Sequence, residues 1–79
     1  MINMRLHLGG HLNYFDALQR VNLDVDFVGT QHLEDILGKL KIPTAEIFLV
    51  SINGEAASME DAWINPDDTV QLYPPMGGG

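Results

Sequence analysis

There is no cysteine among the 79 residues, and only four lysines and arginines stand against eleven aspartates and glutamates. The first absence removes disulfides, thiolate metal sites and cysteine nucleophiles from consideration. The second removes the clustered positive charge that nucleic-acid binding requires: Arg5, Arg20, Lys39 and Lys41 are all there is, and the net charge is −7. Long apolar runs are missing too. Ile47-Phe48-Leu49-Val50 is the longest, against the roughly 20 residues that a membrane-spanning helix needs. The first residues carry no apolar segment of the export type, so cytoplasmic residence is the expectation, with neither membrane nor nucleic acid as partner.

What is present reads as one small globular domain. Apolar residues make up 46% of the chain, enough for a core. A chain this short still hides only ~60% of the surface its unfolded form exposes, which leaves little room for an enclosed active site. Ile2, Met4, Leu6 and Leu8 alternate with Asn3, Arg5 and His7, the period of a strand with one buried face. Gly9-Gly10 ends it, and His11 to Gln19 reads as a longer connection. Alternation returns at Val21, Leu23, Val25 and Phe27, predicting a second strand antiparallel to the first.

The period then changes. Leu33, Ile36, Leu37 and Leu40 fall on one helical stripe. Thr30 is the expected N-cap, and Ile42-Pro43 the expected stop, because a residue before proline avoids the α region. Glu46 to Ile52 predicts a third strand, Asn53-Gly54 a hairpin turn and Glu55 to Ser58 a short return strand. Asp61 to Trp63 predicts a helical turn, and Asn65-Pro66-Asp67-Asp68 a type I turn with proline in its second position. Thr69 to Tyr73 is the last strand, with Val70 and Leu72 facing inward. One helix can cover one face of one sheet, so an α+β fold follows: a mixed four- to five-stranded sheet under a single helix, with the first and last strands adjacent in the middle, the β-grasp arrangement.

The end of the sequence, Pro74-Pro75-Met76-Gly77-Gly78-Gly79, is its most informative stretch. Two prolines make a stiff extended lead-in, and a terminal glycine presents a carboxylate with almost no steric footprint. Residues 1–75 are expected to form the domain and 76–79 a flexible tail.

Asp67-Asp68-Thr69-Val70-Gln71-Leu72-Tyr73-Pro74-Pro75-Met76-Gly77-Gly78-Gly79 resembles the C-terminal segment of the ubiquitin-like sulfur carriers of the MoaD/ThiS family: an acidic turn, the last strand, paired prolines, two spacer residues and a terminal Gly-Gly. Asn53-Gly54-Glu55 is similar to the turn after that family's third strand. Two departures stand out. Asp67 occupies a place where the family usually has glycine. Leu12-Asn13-Tyr14-Phe15, Asp26-Phe27-Val28-Gly29 and Lys41-Ile42-Pro43 look closer to ubiquitin-like domains fused to an RNase-type domain.

The resemblance implies a carrier rather than an enzyme, with no cofactor of its own. A ubiquitin-activating-type adenylyltransferase would spend ATP to adenylate Gly79, a sulfur donor would convert the adenylate to a thiocarboxylate, and a sulfur-accepting synthase subunit would use it. Met76 and Gly77 fill the family's spacer, which favours molybdopterin (molybdenum or tungsten cofactor) synthesis over the thiamine branch. Thiamine or tRNA thiolation, and a protein modifier forming isopeptide bonds through Gly79, remain open, as does a plain interaction module with an inert tail. In the tail, Gly79 would carry the activated group. Gly78 and Gly77 would thread a channel, Met76 would anchor it, and Pro74 and Pro75 would hold it off the sheet.

Further site residues are read from strand parity. With Phe48, Val50 and Ile52 taken as inward, Ile47, Leu49 and Tyr73 form an exposed apolar patch for the partner, rimmed by Asp67 and Asp68. Other polar groups have plainer readings. His7, His11 and His32 lack ligand spacing, and Glu60, Asp61, Asp67 and Asp68 do not match a calcium loop. Ser51 and Ser58 lack a nucleophile context. Gly38-Lys39 has no phosphate-binding loop ahead of it. Trp63 reads as a core plug.

Overall fold

Alternation at the start of the chain becomes strand β1, Asn3–Leu8, in a computed structural model that describes residues 3–75. Met4, Leu6 and Leu8 are fully buried, and Arg5 between them is exposed. Strand β2, Asn22–Asp26, lies antiparallel beside it with Leu6 opposite Leu23. On the other side of β1 runs the last strand, Thr69–Tyr73, parallel to it, with Leu6 opposite Val70 and Leu8 opposite Leu72. A parallel pair needs a crossover. The chain between supplies one through a short strand β3, Gln31–His32, and the helix α1, Leu33–Leu40. Strand β4, Leu49–Ile52, pairs antiparallel with the last strand, and β5, Glu55–Ala57, closes the sheet. The two-residue β6, Trp63–Ile64, pairs with β3 as a separate ribbon, which makes the last strand β7. The main sheet has the order β2-β1-β7-β4-β5, the mixed five-stranded β-grasp arrangement with the first and last strands in the middle.

The helix turns Leu33, Ile36 and Leu37 into the core and leaves Leu40 half-buried. Each fully buried leucine or isoleucine contributes about 1.5–3 kcal/mol. Its start is not at Thr30. Gln31-His32 is drawn into the ribbon with β6, so the chain turns helical two residues later. His32 is the N-cap, its Nδ1 accepting the Glu34 N–H at 3.2 Å. Thr30 instead donates its hydroxyl to the Asn65 side chain.

The helix stop also differs in mechanism. Lys41 turns left-handed at φ 62°, and the Ile42 N–H reaches the Leu37 carbonyl at 3.0 Å. That is a Schellman closure with buried Ile42 packing beside buried Leu37. Pro43 follows it rather than causing it.

Three further expectations are corrected. Over Thr44–Glu46 the chain forms a 3-10 turn, so the third strand is confined to Leu49–Ile52. The helical turn expected at Asp61 to Trp63 lies earlier, closed by the Asp61 N–H on the Ser58 carbonyl, while Trp63 is extended in β6. Trp63 is no core plug: it is 58% exposed, and its neighbours Ala62 and Ile64 are the buried ones. The Asn53-Gly54 hairpin forms as read, with φ 52° and 88° at the two positions, a type I′ turn.

Candidate functional site

The C-terminal segment leaves the sheet from β7, a central strand, and its last described residues are tightly seated. The Gly9 N–H donates to the Leu72 carbonyl at 2.7 Å. A Cβ on Gly9 would clash with the Tyr73 ring, and one on Gly10 would sit 2.6 Å from Pro74 Cγ. The ring and the pyrrolidine therefore rest directly on bare backbone, and Gly10 also needs its positive φ of 54°. Pro74 is buried and Pro75 is exposed. The Gly9-Gly10 pair, which in the sequence only marks the end of a strand, is the seat that fixes where the tail begins. The proposed tail positions Met76, Gly77, Gly78 and Gly79 lie outside the described residues.

Beside this seat lies a shallow apolar groove of about 290 Å³ lined by Phe48, Leu49, Tyr73 and Pro74. Leu49 and Tyr73 meet there as the sequence suggests, but Ile47 does not. Ile47 packs against the core, while Phe48 is 75% exposed. The cause is local. The Phe48 N–H donates to the Tyr73 carbonyl at 2.8 Å, yet Leu49 is the ladder partner of Tyr73, so two residues oppose one as in a β-bulge. Parity counted from Glu46 is lost at this point and resumes with Val50 buried. The signal that could have shown it is Ile42-Pro43-Thr44, which starts a turn too close to β4 for a seven-residue strand.

Asp67 and Asp68 do not rim the groove. They precede β7, roughly 16 Å from Tyr73 at the rise of a strand. Asp68 is a structural clamp: its carboxylate accepts from Asn53 Nδ2 at 2.9 Å and from the Asn65 N–H at 2.8 Å. Asn53 in turn accepts the Thr69 N–H at 2.9 Å, which ties the hairpin turn to the start of β7. The turn through Pro66 is type II rather than type I, because Asp67 at its third position has φ 83°.

The loop after Gly10 stands at the same end of the sheet. Its Asp16 carboxylate accepts the backbone N–H groups of Leu18 and Arg20 and a forked pair of bonds, both 3.0 Å, from the Arg20 guanidinium. The Arg20 side chain, more than any other group, lowers the Asp16 carboxyl to about 2. Tyr14 and Leu18 are each 73% exposed on this clamped loop. His7 bonds Asn22 through Nδ1 at 2.9 Å, and His11 lies 3.8 Å from Glu46. Among the described residues no three of His, Cys, Asp and Glu gather as a metal site. No described helix is long and apolar enough to cross a membrane.

The solution structure of Urm1 from Trypanosoma brucei is similar to this chain, with a TM-score of 0.68 over 98% of this chain and 95% of that one, at 18% sequence identity. The shared architecture is the β-grasp. At that identity the likeness speaks for the fold alone. No protein-family model matches the chain, and no curated protein matches it.

Proposed function

We propose that the chain is a ubiquitin-like sulfur carrier whose Gly79 carboxylate is adenylated by a ubiquitin-activating-type partner and then converted to a thiocarboxylate. The observation that supports this best is the seating of Tyr73 and Pro74 on Gly9-Gly10 at the end of a central strand. A carrier delivers its end to a partner only if the root of that end is fixed, and this root is held by backbone contact on one side and bordered by an apolar groove on the other. Phe48 and Leu49 give an activating enzyme something to grip beside the emerging chain.

The chemistry asks little of the carrier. An α-carboxyl group has a pKa of about 3.3–3.7 and is ionised at neutral pH. It attacks the α-phosphate of ATP and expels pyrophosphate, giving an acyl adenylate. Hydrosulfide released by a sulfur donor attacks the acyl carbon, the acyl–phosphate bond breaks, AMP leaves, and the sulfur stays on the main-chain terminus as a thiocarboxylate. All of this takes place in partner active sites. The two-residue spacer Met76-Gly77 supports molybdenum or tungsten cofactor synthesis as the pathway, with a synthase subunit accepting the sulfur.

Intact mass spectrometry of the protein from its native cell tests the reading. The expected species is the chain ending at Gly79, heavier by the difference between one sulfur and one oxygen. Conjugates to lysines of other proteins would replace the carrier with a modifier that uses the same adenylate. The free acid alone under every growth condition would overturn both.

A further inference from the structure

We propose that the cavity beside Trp63 seats an arginine side chain of a basic partner protein. The cavity, of about 530 Å³, is formed where α1 meets the β3–β6 ribbon and includes His32, Glu34, Asp35, Lys39 and Trp63 in its wall. It lies away from Tyr73 and Pro74. β3 and β6 join the main sheet through the segments next to Asp26 and Thr69, at the end of the sheet opposite Tyr73. A protein bound here leaves the Gly9-Gly10 seat and the Phe48 groove free, and the inference rests on none of the tail chemistry.

The indole stands 58% exposed on the two-residue strand β6. Ala62 and Ile64 carry the burial on either side of Trp63. The ring is nonetheless held in place, perpendicular to the His32 ring at 4.9 Å between centroids. His32 is itself fixed at both nitrogens: Nδ1 accepts the Glu34 N–H at 3.2 Å, and Nε2 lies 3.0 Å from the Glu60 carbonyl, to which it donates. An accessible indole attracts cations to its face. Glu34 and Asp35 add two carboxylates at the wall, and no ion pair to a lysine or arginine among the described residues engages either. A planar guanidinium matches this set, since it stacks on an indole and forks onto a carboxylate.

Charge decides the source of that arginine. The chain carries −7, so a second copy is repelled. Its own arginines are already engaged, Arg5 with Asp24 at 3.7 Å and Arg20 with Asp16 at 3.0 Å. A basic protein segment is complementary both to the cavity and to the whole surface.

Trp63 is the chain's single tryptophan, so its fluorescence reads this cavity alone. A capped hexa-arginine peptide is titrated into the intact protein, with fluorescence and amide NMR as readouts. Saturable change at Trp63, with shifts at Gln31 to Lys39, is expected. Binding should weaken about three- to fivefold in Glu34→Gln and in Asp35→Asn, and strengthen in Lys39→Gln, which removes the one cation from the wall. All three sites are exposed, and circular dichroism verifies their fold. An unmoved Trp63, shifts confined to Asp24, Asp26, Asp67 or Asp68, or equal affinity in all three variants would overturn the proposal.

Discussion

At the scale of single residues, the decisive features are backbone conformations and one carboxylate. Asp67 sits at φ 83° in the third position of a type II turn, where glycine is at ease and a side chain costs about 1 kcal/mol. Its neighbour Asp68, not Asp67, makes the turn's side-chain hydrogen bonds, while the Asp67 backbone N–H donates to the Asn3 carbonyl. Asp67→Gly is therefore expected to stabilise the protein and to raise its thermal midpoint by roughly 4–8 °C, as read by calorimetry. One of the two places where the sequence departs from the sulfur-carrier pattern is thus a place of strain.

Asp16 gives a pH prediction. Its carboxyl is lowered from 3.8 to about 2, so its contribution is complete above pH 4 and is lost as the pH falls through 2. Carbon-detected NMR should place the Asp16 midpoint near 2, and Arg20→Gln should return it toward the ordinary carboxylate value.

At the scale of elements, the contrast between Ile47 and Phe48 separates stability from function. Ile47 packs on the core, so Ile47→Ala should cost about 2 kcal/mol or more in chemical denaturation. Phe48 faces water, so Phe48→Ala should shift stability by only about 0.5 kcal/mol and, under the proposed function, slow adenylation by the activating partner. Equal losses of stability would refute the reversed parity.

The same region shows what strand periodicity can and cannot deliver. β1 and β7 are long enough for alternation to fix both faces, and both form as read. β4 is four residues long and begins at an irregular step, so its first apolar residues have no period to obey. The helix stripe was equally legible. Its N-cap was not, because β3–β6 pairing, a contact between residues some thirty positions apart, decides where the helix may begin.

At the scale of the whole molecule, the described residues build one continuous core. Its fourteen buried apolar residues run from Met4 to Leu72. Removing residues 76–79 should leave the thermal midpoint within about 2 °C and, under the proposed function, abolish adenylation. A large drop in stability would mean that the tail belongs to the fold. The acidic surface acts at this scale too, since it favours basic partners and opposes self-association.

By itself the sequence determined the class of fold, the inward faces of β1, β7 and α1, and the chemical character of the end of the chain. These follow from periodicity and composition, which are local properties. Tertiary structure alone decided that Gly9-Gly10 is the seat of Tyr73 and Pro74, that Phe48 rather than Ile47 faces solvent, and that Trp63 stands in the open beside His32. Each of these depends on which distant backbone approaches closely enough to exclude a side chain or to leave it uncovered.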